Sequence, residues 1–318
     1  MGDVLASPAV ARFLAAARVD IVCAWGISAA LAAWMALRAL SGRRPALVLE
    51  LFDPALGMAD RKLLRVASGI GGLSIVCGSQ IVRRRLIEAG VGPEFCAVIR
   101  PGVDFATINT IRRGSLRASL GIAPTETAVL LPEPVRRDEG TFSGFWAAVL
   151  LHELGEGFRI IVPGRSREVD RIRRLAAALP AAPRLLTPGP DVPFEHLVAI
   201  ADVLLVSDRN EVPTTAIAWA MASGAAVIAA AGYSITELVA HKVNGLLFSP
   251  RAARSMIPRI VKLLRDRESQ VRLKEAARGQ AYEVFSTRRY VDQHISVFQN
   301  VLRGTAPGRG ITDSAAVA

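Results

Sequence analysis

The sequence predicts an α/β protein built of two doubly wound domains, and three observations carry that expectation. Short apolar runs alternate with helical stretches along the whole chain, which is the pattern of βαβ units around parallel sheets. The 318 residues suffice for two cores of ordinary size. The alternation is interrupted once, near Arg112, Arg113 and Gly114, and then resumes.

Taken in order, DIVCAW reads as the first strand, Gly26 as a turn, and Ser28 as the N-cap of a helix. The strand ALVLELF, a helix opening near Asp60 and the strand SIVCGS follow. The helix IVRRRLIEAG stops at Gly90, and AVIRPGVD closes the first domain with a strand and a Pro-Gly turn. Beyond the junction come the strand AVLLPEP, a helix around FSGFWAAVLLHEL, the strand FRIIVPG and a helix from Arg167. LLTPGP, the helix FEHLVAIA, the strand DVLLVS, a small-residue helix after Glu211 and the strand AAVIAAAG complete the second sheet. One long polar helix is expected from Ala252 to Arg278. A last helix, Thr287–Leu302, is expected to return to the first domain on a face of Val291, Ile295, Phe298 and Leu302. The expected division is thus a first domain at 1–104, a linker at 105–118, a second domain at 119–285 and the returning helix within 286–304. Apolar periodicity ends after that, so 305–318 reads as a disordered tail.

The uncharged run from Ile21 to Leu37 approaches the length of a membrane span, but it divides into strand, turn and helix and is read as α/β core. The start, MGDVLASPAVARF, has no basic n-region ahead of an apolar stretch, so no signal peptide is expected and the location is cytoplasmic. Cys23, Cys77 and Cys96 lie far apart, which argues against a zinc site or disulfide framework and for buried thiols in a reducing compartment.

Hydrophobic residues make up 51% and charged residues 21%, which excludes a disordered chain. Lys and Arg number 39 against 28 Asp and Glu, a surplus of 11 that favours phosphates, nucleic acid or an anionic membrane. Nucleic acid is set aside, because the 3 Tyr, 11 Phe and 4 Trp do not interleave with the basic residues. Basic clusters at Arg61–Lys62–Arg65, Arg83–Arg84–Arg85 and Arg112–Arg113 suit peripheral contact with the inner face of an anionic membrane; solvated helix faces explain them equally well.

No GxxxxGK[ST], GxSxG, HExxH or Asp-x-Asp motif occurs. Gly69–Gly72 (GIGG) precedes a strand, whereas a dinucleotide fingerprint must follow one. His152, His196, His241 and His294 have no ligand spacing, and His152, His196 and His294 read as polar-face helix positions, so no metal is expected. Ligands of open α/β sheets bind at the carboxyl ends of strands, so the loops PEPVRRDEG, VPGRSRE, VSDRNEVPTT and AAGYSITE are the candidates.

Four stretches in fixed order carry a resemblance: GSQIVRRRLIEAGVGPEFCAVIRPGVD, FEHLVAIADVLLVSDRNE, the Glu211 helix with AMASGAAVIAA, and GYSITELVAHKVNGLLF. They resemble the family-4 glycosyltransferases, which are retaining enzymes of the GT-B fold, two Rossmann-like doubly wound domains facing a cleft. Here the first domain is shortened. The resemblance implies transfer of a sugar from a nucleotide-sugar donor without a metal ion; the donor is a substrate, and no cofactor is implied. It makes Glu211 the carboxylate that binds hydroxyls of the donor sugar, a task suited to a group that accepts two hydrogen bonds. It places Thr214 and Thr215 near the phosphates, at a helix N-terminus that favours anions, and Glu237 close to the donor.

The chain departs from the family's pattern at several points. Trp219 stands where a second carboxylate binds the ribose, and an indole accepts no hydrogen bond, so Trp219 is read as a core residue of its helix. Pro134 and Glu139 stand at the phosphate-binding Arg and Lys, leaving Arg136, Arg137 or Arg165 to hold the diphosphate. Pro213 lacks an N–H. Cys23 and Trp25 replace a His-x-His, so no general base is offered there. Two readings stand side by side: a retaining glycosyltransferase acting on an unknown acceptor, or a catalytically inactive relative that binds or scaffolds, alone or beside a partner glycosyltransferase.

Overall fold

The computed structural model describes residues 7–42, 44–52, 57, 64–65, 73–132, 144–147, 149–150, 157–179, 184–207, 214–249 and 256–311. They belong to two compact units, Met1–Pro101 with Arg288–Ala316, and Gly102–Thr287 with Val317–Ala318.

The first unit is a parallel sheet of β1 (Ile21–Trp25), β2 (Ala46–Leu51), β3 (Leu73–Cys77) and β4 (Cys96–Val98), hydrogen-bonded in that order. One face carries α1 (Ser7–Ala16), α2 (Ile27–Arg38) and α3 (Gln80–Glu88), whose Leu14, Ala33, Leu37, Val82 and Leu86 pack on Leu47, Leu49 and Ile75. Gly26, not Ser28, caps α2: β1 ends at Trp25 and Gly26 turns the chain at φ 81°, a conformation in which a Cβ is unfavourable. Ser79 caps α3 by accepting from the Val82 amide at 3.3 Å.

In the second unit, residues 105–118 are no linker: they form most of α4 (Phe105–Thr110) and α5 (Arg113–Ser119), because Asp104 caps the first at 2.9 Å from Ala106 N. Then come β5 (Thr127–Leu130), helical residues 144–147, β6 (Phe158–Ile161), α6 (Arg167–Ala178), β7 (Leu185–Leu186), α7 (Phe194–Ile200) and β8 (Val203–Val206). After these follow α8 (Thr214–Ser223), β9 (Ala226–Ala230), α9 (Tyr233–Thr236), β10 (Leu246–Phe248), α10 (Met256–Arg265) and α11 (Arg267–Phe285). The expected single helix over Ala252–Arg278 breaks at Asp266, whose carboxylate accepts from Ser269 N at 2.9 Å and starts α11 afresh.

All strand pairings here are parallel and the order is β10-β9-β8-β5-β6-β7. The chain therefore winds outward from β5 to β7, crosses back to β8 and winds the other way. The strands are buried on both faces, which is why they read as unbroken apolar runs. At their amino ends Asp202 receives Arg113, Arg117 (3.0 Å) and the Ala128 amide (2.8 Å), while Glu126 receives Arg184 (2.8 Å) and Arg159 (3.2 Å). Arg113 is thus committed to an ion pair in the second unit rather than offered to a lipid surface.

The last helix, α12 (Thr287–Leu302), covers the other face of the first unit's sheet, where Val297 is buried against Val48, Val76, Ala97 and Ile99. Its buried face is Tyr290, His294, Val297, Phe298 and Val301; Val291, Ile295 and Leu302 stay exposed. The helix sits one position away from the expected face because His294, read as a polar-face residue, is buried and bonded to Glu50 at 3.0 Å. Nor does a disordered tail begin at 305. Asn300 Nδ2 holds Pro307 O at 3.2 Å and Arg309 O at 2.9 Å, and Ile311 packs beside α12. Residues 312–318 lie outside the described set. Among the described residues no helix is long and apolar enough to cross a membrane.

Candidate functional site

A sheet that winds both ways from its centre leaves a crevice at the carboxyl ends of the strands where the direction switches. In the second unit that point lies between β5 and β8. The chain leaving β5 carries Arg136 and Arg137, and the chain leaving β8 carries Glu211; these three, with Pro134, Glu139 and Pro213, lie outside the described residues. The remaining candidates are described, and each follows the carboxyl end of a strand of this one sheet: Arg165 after β6, Thr214 and Thr215 after β8, Glu237 after β9.

Arg165 is exposed in the turn after Gly164 (φ 92°). A Cβ placed on Gly189 would come within 3.1 Å of Arg165 Nη2 and 2.4 Å of Asp191 Oδ1, so the guanidinium lies over the bare Cα of Gly189. The N-terminus of α6 next to it is already served by the Ser166 cap (3.2 Å to Val169 N) and by Glu168 and Asp170 in the first turn. Charge for an anion at this loop therefore comes from Arg165.

Thr214 opens α8 and is 2% exposed, yet its hydroxyl has no hydrogen-bond partner among the described residues. A buried unpaired hydroxyl is costly and calls for an explanation, and at the head of a helix by the switch point a ligand oxygen is a natural partner. Every residue of α8 is buried except Thr215, Trp219 and Ser223, which form one stripe at four-residue spacing. Trp219 is therefore half-buried on that stripe and not in the core, contrary to the expectation for an indole on an apolar helix. Four of the seven buried residues of α8 are alanines, Ala216, Ala218, Ala220 and Ala222, which leave little room for an indole, so the bulky ring lies on the less buried stripe.

Glu237 is the half-buried C-cap of α9, the four-residue turn that follows β9 and Gly232. Ser234 within that turn is 1% exposed, and its hydroxyl has no partner among the described residues. The sequence reading missed Ser234, and it missed Ser207 and Gly144. A Cβ on Gly144 would fall 2.4 Å from Ser207 Oγ and 3.0 Å from Leu131, so only glycine lets the helix after β5 begin this close to the end of β8. The one sequence signal for it was a glycine at the head of a helix. Among the described residues no group of His, Cys, Asp and Glu is placed to hold a metal ion.

Comparison with known proteins finds a family likeness in this unit and a likeness of fold over nearly the whole chain. The model of the family described as "Glycosyl transferases group 1" matches residues 115–280, just over half of the chain. A relative, the N-acetyl-alpha-D-glucosaminyl L-malate synthase of Bacillus anthracis, is 26% identical over 151 residues, which is 48% of this chain and only 40% of that protein. Among solved structures, HepE of Anabaena in complex with UDP and glucose superposes with a TM-score of 0.79 at 20% identity, covering 92% of this chain and 81% of that one. Sucrose-phosphate synthase of Thermosynechococcus elongatus gives 0.77 at 16% identity, covering 94% and 78%.

Proposed function

Since the chain belongs to the glycosyl transferases group 1 family and has the GT-B fold, we propose that it is a nucleotide-sugar-dependent glycosyltransferase that retains the configuration of the transferred sugar. The donor lies at the switch point of the second unit. Arg165, with Arg136 and Arg137 from the chain after β5, holds the diphosphate by forked hydrogen bonds. As the bond from the sugar to the diphosphate breaks, negative charge gathers on the leaving phosphate. The arginines and the N-terminus of α8 at Thr214 and Thr215 stabilise that charge, so the proposal asks no metal ion for this task. Glu211 accepts hydrogen bonds from the donor sugar and fixes its orientation, with Glu237 beside it. Support comes from the UDP and glucose bound to HepE and from the order of these residues along the chain. The observation that carries the proposal is the buried hydroxyl of Thr214 at the head of α8, beside the winding switch, which has no hydrogen-bond partner among the described residues.

A second reading, a binding or scaffold protein without turnover, is favoured by one observation: Trp219 occupies the open stripe of α8 and offers no acceptor to a ribose. Calorimetric titration with UDP-, GDP- and ADP-sugars separates the two. Binding is expected for one nucleotide series, and Glu211→Gln should weaken the nucleotide sugar by tenfold or more (about 1.5–3 kcal/mol) while leaving the free nucleotide nearly unchanged. No binding of any nucleotide sugar at millimolar concentration defeats the enzyme reading. A lower melting temperature as the main effect of Glu211→Gln would make that carboxylate a helix cap.

A further inference from the structure

The second unit has a cavity of about 550 Å³ at the amino ends of β5 and β8, the end of the sheet opposite the proposed donor site. Its walls come from α5, the turn at 122–127 and Gln270 of α11. Asp202, the residue ahead of β8, lines it and is shared by three cations. Asp202 Oδ1 receives Arg113, and Oδ2 receives Arg117 (3.0 Å) and the Ala128 amide (2.8 Å). Lys274, one turn beyond Gln270 on α11, lies close enough to feel the charges of both Asp202 and Arg113. Glu126, the other carboxylate at the cavity, is matched by Arg159 (3.2 Å) and Arg184 (2.8 Å) and offsets none of the three.

These cations are not equally engaged. Arg117 is buried, and besides Asp202 it donates to the carbonyls of Ile200 (3.0 Å), Ala123 (3.2 Å) and Glu126. The Arg113 guanidinium donates only to Asp202 among the described residues, and its side chain is 38% exposed. Lys274 is half-buried, and among the described residues its ammonium has neither a hydrogen bond nor an ion-pair partner. An ammonium held partly out of water beside a guanidinium is unfavourable unless an anion compensates it. One carboxylate among three cations leaves two positive charges over, close to the charge of a phosphate monoester at neutral pH, about −1.5 to −2. A carboxylate ligand would offset only one of them.

We infer that this cavity binds the phosphate group of a small phosphorylated molecule, held by the Lys274 ammonium and the remaining N–H groups of Arg113. Lysine meets phosphate as a point charge and arginine as a fork, and both modes are present here. Thr125 and Thr127 line the same cavity and add hydroxyl donors. Asp202 does not bar the anion, because both of its oxygens are taken by donors. The volume is ordinary for a small-molecule pocket, which runs from about 300 to 1,000 Å³. This site and the donor site lie at opposite ends of the same parallel strands, so the inference stands independently of the donor reading.

The test uses the scarcity of lysine. The full chain has four, Lys62, Lys242, Lys262 and Lys274, so an amine-acylating reagent followed by peptide mapping reads Lys274 directly. Burial pushes the Lys274 pKa down; Asp202 opposes that shift and Arg113 adds to it, so the empty site offers a reactive neutral amine. Glycerol 3-phosphate at millimolar concentration should slow acylation of Lys274 about tenfold, the effect of a pKa one unit higher, and leave exposed Lys242 unchanged. Sodium acetate and sodium chloride at the same ionic strength should protect neither residue. In calorimetry, Lys274→Met removes no bond of the fold and should weaken glycerol 3-phosphate binding by about tenfold. Equal protection by acetate or chloride reduces the effect to screening and overturns the inference. So does acylation of Lys274 that glycerol 3-phosphate does not slow, or binding that Lys274→Met leaves intact.

Discussion

His294 is the residue whose side chain reverses its sequence reading most completely. Its Nε2 lies 3.0 Å from Glu50 Oε1 and its Nδ1 lies 2.8 Å from Tyr290 O, two oxygen acceptors that favour the doubly protonated ring. Burial pulls its pKa down, but the hydrogen bond and charge of Glu50 and the Tyr290 carbonyl outweigh it, and the net shift is upward. Burial and the same carboxylate push Tyr290 up to about 12. A histidine whose folded pKa is raised stabilises the fold fully below the unfolded value near 6.5, and loses that contribution as pH climbs through the folded pKa. Denaturant unfolding of wild type and His294→Gln should therefore differ most at about pH 6, and the gap should narrow by about pH 9. A gap that does not change with pH would mean the ring is neutral. In sequence His294 was one of four histidines without ligand spacing, because its partner Glu50 lies 244 residues away.

At the scale of elements, α8 shows how much of a site rests on a helix's ends. It closes on Gly224 at φ 75°, with Gly224 N bonded to Met221 O (3.2 Å) and Ala225 N to Ala220 O (3.0 Å). This is a left-handed helix stop that needs no side chain. A Cβ on Gly224 would meet nothing within 4 Å, so Gly224→Ala carries only the backbone penalty, about 1–2 kcal/mol. Thermal unfolding should register that loss while nucleotide binding stays intact, since the proposed donor site is at the opposite end of α8. A loss of several kcal/mol would show instead that the turn is packed. The Gly–Ala–Ala–Val run made this stop legible in the sequence. The break at Asp266 was not read from the sequence, where continuous polar periodicity concealed it, although an Asp three residues before Ser269 was its local signal.

Across the whole molecule, the charge surplus of 11 bears on the acceptor. The clusters that suggested a lipid surface fare differently: Arg113 is bound to Asp202, Arg83 reaches Cys96 O, Arg84 is exposed, and Arg61 and Lys62 lie outside the described residues. If the remaining arginines meet an anionic membrane, the protein should sediment with vesicles containing anionic lipid and be released by salt over the range in which the screening length falls from about 10 Å to about 3 Å. Equal binding to neutral vesicles, or none to either kind, removes membrane contact from the account.

The sequence by itself determined the class of fold, the order of the strands, and the loops that follow each strand. Apolar runs buried on both faces and glycines at turns are local signals, and four motifs in register tied them to one family. Only the tertiary structure decided which face of α12 is buried, where Trp219 stands on α8, that Thr214 and Ser234 carry hydroxyls without a partner among the described residues, and that among those residues β1 is the edge strand of its sheet while β4 is covered. The physical reason is common to all four. A helix with two apolar stripes, a hydroxyl and a strand edge each have several partners that satisfy local chemistry equally well. The choice among those partners is made by groups distant in the chain, such as Glu50 for His294 and Gly308 for β4.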